Sequence, residues 1–152
     1  MWVLAFVLLV LPGFGQDARL SEVASYAAGK PAAVYCAADA QSWRNVGRPS
    51  ASGFAYLNGD VYLDPNVCAL VKRQKGEPTF QWADALLTLV HEAQHAAGIS
   101  NESEAECAAL RKFAAVAIVF YGFKSRSDRL RLLVRQAWRA HDSLPLPYQD
   151  LC

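Results

Sequence analysis

The sequence predicts a mostly helical α+β domain that carries a small β-hairpin. Apolar residues recur three and four positions apart through much of the chain, which is the period of a helix packed on a core. Asn58-Gly59 separates two apolar-rich runs, and this dipeptide is the strongest short cue for a hairpin. The length of 152 residues fits one domain.

The elements of the first half follow from local composition. Helical spacing of apolar residues predicts the helices, apolar and aromatic runs predict the strands, and clustered Gly, Pro and Ser predict the loop. In order, these elements are a helix at 17–29, a strand at 33–36, a helical turn at 39–45, a loop at 47–53 and hairpin strands at 54–57 and 60–63.

The second half is predicted to be helical. The predicted helices cover 65–73, 79–98, 102–121 and a last segment that begins at Ser125 or Ser127 and ends near His141. Thr79 is a good N-cap for the second of these, and Gly98 is a good end. Since residues 113–123 are apolar on all sides, we expect the helix that contains them to be the most buried one.

The composition excludes several classes of protein. Hydrophobic residues make up 53% and charged residues 19% of the chain, so it can bury a core and is too apolar for disorder. The formal net charge is +1, and we therefore expect no nucleic acid or other polyelectrolyte partner. We expect a monomer.

Residues 1–15 carry no charge and form an apolar run that ends in Pro12 and a small-x-small site at Gly13-Phe14-Gly15. The run is shorter than the roughly 20 residues that a membrane span needs. We therefore predict a signal peptide at 1–15, a single domain at 16–152 and a protein that is secreted or exported to the cell envelope without a stable membrane span. A basic n-region is missing, so an uncleaved anchor and a buried N-terminal helix remain alternatives.

His91, Glu92 and His95 stand in the order His-Glu-x-x-His within the helix predicted at 79–98. Positions four apart share a helix face, about 5–6 Å apart at Cβ, so both imidazoles can bind one ion. Glu92 is placed to hydrogen-bond a metal-bound water instead of the metal. A catalytic zinc has three protein ligands, so a third ligand is expected downstream.

The third ligand is predicted at the start of the next helix. Glu102 and Glu106 are four apart and share a face. We assign Glu102 as the third metal ligand and Glu106 as the acceptor of an N–H group from a ligand histidine. Cys107 is a competing ligand, although it faces about 100° away from Glu106 on a helix.

His-Glu-x-x-His followed by Asn-Glu-x-x-x-acid resembles the gluzincin metallopeptidases, over residues 88–107. The resemblance implies a minimal zincin-like domain with an active-site helix packed on two C-terminal helices. It implies a secreted metalloendopeptidase with one Zn²⁺ per chain. A metal-activated water would attack a peptide or protein substrate, Glu92 would be the general base, and a hairpin strand would lie beside the substrate.

The chain departs from the gluzincin pattern in one respect. Six residues separate His95 from Glu102, far fewer than in the large secreted gluzincins. The shorter metzincin pattern would place Gly at Gly98, where it stands, and the third ligand at Asn101. Asn is a poor zinc ligand beside an available carboxylate, so Glu102 is preferred.

The sequence leaves open which residue stabilises the oxyanion, and it allows two other functions for the protein. Such a reaction needs a group that stabilises the oxyanion, and His141, Tyr148, Tyr62 and Tyr121 are all candidates, with His141 equally fitted to be a packed core residue. The protein is alternatively a zinc-binding but catalytically weak interaction module, or a metal-free helical protein with the two histidines on an amphipathic face.

Four cysteines allow two disulfides in three pairings, which sequence does not distinguish. We favour Cys36–Cys68, which would tie the flanks of the hairpin region, and Cys107–Cys152, which would attach the tail to the helix of Glu102.

Overall fold

The computed structural model describes residues 11–48, 50–57, 59–73, 78–145, 148 and 152. The elements within these residues are β1 (Phe14–Gln16), α1 (Ala18–Ala28), β2 (Ala33–Ala37), α2 (Ala40–Asn45), β3 (Gly53–Ala55), β4 (Asp60–Leu63), α3 (Pro65–Val71), α4 (Phe80–Ala96), α5 (Glu102–Tyr121) and α6 (Asp128–Asp142). The fold is the mostly helical α+β class predicted from the sequence.

Each helix begins at a residue whose side chain accepts a hydrogen bond from a backbone N–H of the first turn, which satisfies one of the free donors there. These N-caps are Asp17, Asp39, Asp64, Thr79, Asn101 and Ser127. Thr79 was predicted, and of the two serines proposed for α6 the cap is Ser127. The predicted helices agree with α1 to α6 to within a few residues.

The sheet has the order β1-β2-β4-β3, with β2 and β4 parallel and the outer pairs antiparallel. The predicted hairpin is confirmed as β3 and β4, which pair from Gly53 opposite Leu63 to Ala55 opposite Val61. Asn58 of its turn lies outside the described residues. Among the described strands, β3 is paired on one side only, so its other edge is open.

Helix α4 is the centre of the core. It packs against α1, α3, α5 and α6 and against strands β3 and β4, and nearly all of its residues from Trp82 onward are buried. The expectation that residues 113–123 form the most buried helix is wrong. Their helix, α5, packs on α4 along one side only, and Val119 on its other side is 55% exposed.

Two disulfides link the chain. Cys36 of β2 is bonded to Cys68 of α3, and Cys107 of α5 to Cys152. These are the favoured pairings, and they exclude Cys107 as a metal ligand. Two disulfides are compatible with an extracellular protein.

The predicted leader lies mostly outside the described residues, since 1–10 are among those not described. Its predicted cleavage position after Gly15 falls within β1. A chain that starts at Gln16 would lack Phe14, whose ring packs on Tyr62 and Trp43. Cleavage would thus remove a packed side chain from the sheet. No observation tests cleavage at this position, which stays a prediction. As for membrane spans, none of the helices in the described ranges combines the length and apolarity needed to cross a bilayer.

Candidate metal centre

Helix α4 and the first turns of α5 bring two histidines and two glutamates together. His91 and His95 lie one turn apart on α4, and both side chains are buried. Gly98 follows α4 with a φ of 108°, which lets the chain reverse within a few residues. Glu102, the first residue of α5, is thereby placed over the two imidazoles.

Three ligand atoms converge at this point. His91 Nε2 lies 3.0 Å from His95 Nε2, and each of these nitrogens lies 3.1 Å from Glu102 Oε2. Tetrahedral zinc bonded to nitrogen at about 2.0–2.1 Å separates its ligand atoms by about 3.3–3.4 Å, close to these distances. The three side chains could therefore hold one metal ion.

The tautomers of both histidines favour a cation at this point. His95 Nδ1 lies 2.6 Å from the Ile99 carbonyl oxygen, which can only accept, so Nδ1 must donate. His91 Nδ1 lies 2.7 Å from Glu106 Oε2 and donates to that carboxylate in the same way. In the neutral rings both Nε2 atoms then carry lone pairs, which face each other and a carboxylate oxygen. Such a set of acceptors repels itself unless a proton or a metal ion lies between them.

Glu106 makes the contact expected of it, since its Oε2 lies 2.7 Å from His91 Nδ1. Its carboxylate is 2% exposed. Burial lowers the pKa of His91, but the bond to Glu106 and the charges of Glu92, Glu106 and Glu102 outweigh burial and raise that pKa above its usual value. Asn101 does not join the cluster, because its side chain accepts from Glu104 N as the N-cap of α5.

Glu92 lines the same open cleft as His91, His95 and Glu102, although its side chain is buried. Burial raises the pKa of Glu92 to about 7, against the lowering effect of His91 and His95. A carboxyl group with such a pKa can both accept and return a proton near neutral pH.

The cleft has a volume of about 640 Å³ and runs along α4 past His91, His95 and Glu102. It is lined by β3, by Asp84, Leu87 and Thr88 of α4, and by residues 143–145, which follow α6. The open edge strand β3 therefore lies beside the candidate metal-binding groups, where a hairpin strand was expected from the sequence.

Gly53 and Arg48 were missed by the sequence analysis. A Cβ atom on Gly53 would lie 3.0 Å from Glu92 Cγ, so this glycine lets β3 approach α4. A glycine inside a strand is a known sign of close backbone approach and could have indicated it. Arg48 lines the cleft next to Glu92 and places its guanidinium 5.4 Å from the Phe54 ring centroid. No local pattern marks Arg48, because it lies in an irregular loop.

The four candidates for an oxyanion stabiliser are all described, and of these only Tyr148 lines the cleft. Its ring centroid lies 6.0 Å from that of His91. Burial and the charges of Glu102, Glu92 and Glu106 raise its pKa, which keeps the hydroxyl protonated as a donor.

The other three candidates lie elsewhere. Tyr62 is buried among aromatic side chains, and Tyr121 donates to the Val71 carbonyl oxygen. His141 does not line the cleft: it is buried, and its Nδ1 lies 3.4 Å from Glu106 Oε1. Its ring instead belongs to the packed core beside Glu106.

Comparison with known proteins gave no match among family models, curated proteins or solved structures.

Proposed function

We propose that this protein is a secreted zinc-dependent metallopeptidase that hydrolyses peptide bonds with a metal-activated water and Glu92 as general base. The observation that carries the proposal is the convergence of His91 Nε2, His95 Nε2 and Glu102 Oε2 within 3.1 Å of one another, with Glu92 beside them in an open cleft. Two disulfides are in keeping with an exported chain.

Zinc is the ion that this donor set fits best. Two imidazoles and one carboxylate form a ligand set found at catalytic zinc sites, which leave a fourth position for water or substrate. Glu102 is 46% exposed at its side chain, so the site is open towards the cleft. Zinc held there would supply a Lewis acid and activate water for attack on a carbonyl.

Glu92 performs the proton transfers. Its carboxylate accepts a proton from the attacking water and then donates that proton to the leaving amine. Burial against Gly53 and the neighbouring strand limits the rotation of its side chain.

Strand β3 and Tyr148 bind and orient the substrate. An extended peptide can pair with the open edge of β3 through backbone hydrogen bonds, which aligns its scissile bond along the cleft. The Tyr148 hydroxyl is the donor available to the developing oxyanion, since it lines the cleft next to His91.

Metal analysis and one substitution test the proposal. We expect the purified full chain to retain about one zinc per molecule and to cleave peptides from a random library. Glu92→Gln should retain the zinc and lose at least about 10²-fold in kcat/KM, since general-base groups contribute that much. Glu104→Gln is the matched control, because Glu104 is exposed on α5 and does not line the cleft.

Three results would contradict the proposal. Zinc far below one equivalent would rule out the metal centre. Wild-type activity in Glu92→Gln would rule out the base. Full zinc without cleavage of any library peptide would instead favour the catalytically weak zinc-binding module.

A further inference from the structure

We infer that His141 is a positioning residue that holds the Glu106 carboxylate and, through it, the ring of His91. This inference rests on the proposed function only where it treats His91 as a metal ligand. It concerns the last turn of α6, which packs on both α4 and α5.

The first observation is that only one of the two Glu106 carboxylate oxygens has a hydrogen-bond partner among the described residues. Oε2 accepts from His91 Nδ1 at 2.7 Å. Oε1 is buried and has no hydrogen-bond partner among the described residues. A buried carboxylate oxygen without a donor is unfavourable, so a donor is expected close to Oε1.

The second observation is that a ring nitrogen of His141 also lacks a hydrogen-bond partner among the described residues. This atom, Nδ1, is buried and lies 3.4 Å from Glu106 Oε1. An N–H on Nδ1 is the donor that Oε1 needs, and a small shift of either side chain brings the pair to hydrogen-bond distance. Each atom thereby becomes the missing partner of the other.

The surroundings fix the His141 ring in this orientation. The ring is 3% exposed, and the Trp138 ring packs edge-on against it with centroids 5.5 Å apart. His141 therefore cannot turn towards solvent for another partner. The result is a buried series in which His141 donates to Glu106 Oε1 and His91 donates to Glu106 Oε2.

This series determines which nitrogen of His91 faces the metal-binding point. With both oxygens bound, the Glu106 carboxylate cannot rotate about its terminal bond. The proton of His91 then stays on Nδ1, and the Nε2 lone pair stays directed at His95 and Glu102. Without His141, the carboxylate gains a second orientation and the ring of His91 a second tautomer. Partners of this kind affect metal affinity by about 10–100-fold when removed.

A matched pair of amide variants tests the inference. In His141→Asn the amide nitrogen replaces Nδ1, whereas in His141→Gln it falls near the position of Nε2. ¹⁵N NMR of the histidine rings in metal-free protein, recorded at alkaline pH where the rings are neutral, reports the tautomer, and chelator competition reports zinc affinity. We expect His141→Asn to keep the Nδ1–H tautomer of His91 and to bind zinc within about threefold of wild type. We expect His141→Gln to show mixed tautomers and about 10–100-fold weaker binding.

The coupling to Glu106 is tested in a double variant. Because His141 acts through Glu106, adding His141→Gln to Glu106→Gln should weaken zinc binding no further. Equal behaviour of the Asn and Gln variants, or losses that add in the double variant, would overturn the inference. The NMR measurement needs neither zinc nor substrate, so a protein that cleaves no peptide, or binds no zinc, would leave this test intact.

Discussion

The backbone of Gly53 packs directly against the side chain of Glu92. A Cβ atom at position 53 would lie 3.0 Å from Glu92 Cγ, 3.1 Å from a Leu63 methyl and 3.2 Å from a Thr88 methyl. Strand β3 therefore approaches α4 this closely because position 53 has no side chain. This contact joins the strand proposed to bind substrate to the group proposed to transfer protons.

Gly53→Ala should reduce both activity and stability. The added methyl group must push Glu92 or β3 away by a few tenths of an ångström. Since a misplacement of about 1 Å can cost roughly 10²-fold in rate, this smaller shift should cost on the order of tenfold or less. Overpacking of this kind costs about 1–3 kcal/mol of folding free energy. Peptidase kinetics and thermal unfolding measure the two effects. Unchanged kcat in Gly53→Ala would mean that this contact does not position Glu92.

Glu102→Ala and Glu106→Ala should differ in zinc affinity. Glu102 Oε2 lies 3.1 Å from both Nε2 atoms, whereas Glu106 contacts the opposite nitrogen of His91. Loss of Glu106 should weaken binding by about 10–100-fold, and loss of the direct ligand by more than that. Chelator competition gives both values, with Glu104→Ala as the exposed control. The reverse order would assign the third ligand to Glu106.

Acid should weaken metal binding. The Glu106 bond and nearby carboxylates raise the pKa of His91 above its usual 6.5 despite burial, and protonated His91 carries a hydrogen on Nε2. Zinc affinity should therefore fall as pH falls through this raised pKa. In the metal-free protein, acid has the opposite effect on folding stability. The contribution of His91 to stability is fully present below pH 6.5 and is lost as pH rises through the folded-state pKa.

Thermal unfolding measured across pH, with and without zinc, checks both of these opposite pH dependences. The stabilisation by zinc should grow from mildly acidic to neutral pH, and much less so in His91→Gln. Stabilisation by zinc that is the same at every pH would show that no proton leaves the site when the metal binds.

Tyr148→Phe should lower kcat by about 10²-fold and leave KM and zinc affinity nearly unchanged, because one oxyanion donor contributes on that order in the transition state alone. Steady-state kinetics with zinc-loaded protein measure this. Tyr56→Phe is the matched control, because Tyr56 is 55% exposed and does not line the cleft. A rise in KM alone would make Tyr148 a substrate-binding residue.

Much of the local structure could be predicted because it depends on short-range spacing. His91 and His95 share a face at any position on a helix, and so do Glu102 and Glu106. The six helices begin at residues that cap by local hydrogen bonds, and Asn58-Gly59 indicated the β3–β4 hairpin. The favoured disulfides were also correct, although composition allowed three pairings.

Other assignments failed because they depend on how distant segments pack. His141 and Tyr148 are seven residues apart, yet one lies behind Glu106 in the core and the other lines the cleft. No spacing rule separates them, since the direction in which α6 ends decides it. Likewise α5 is more apolar along its second half than α4, but α4 is central because it packs on four helices.

The sequence by itself therefore determined which side chains face together along each helix, since backbone hydrogen bonding imposes that period on any chain. Only the tertiary structure decided which faces meet. The approach of Glu102 to the two imidazoles, of Gly53 to Glu92 and of His141 to Glu106 each joins residues from different elements. Such contacts depend on the shapes of all the packed side chains between those elements, which short-range patterns do not record.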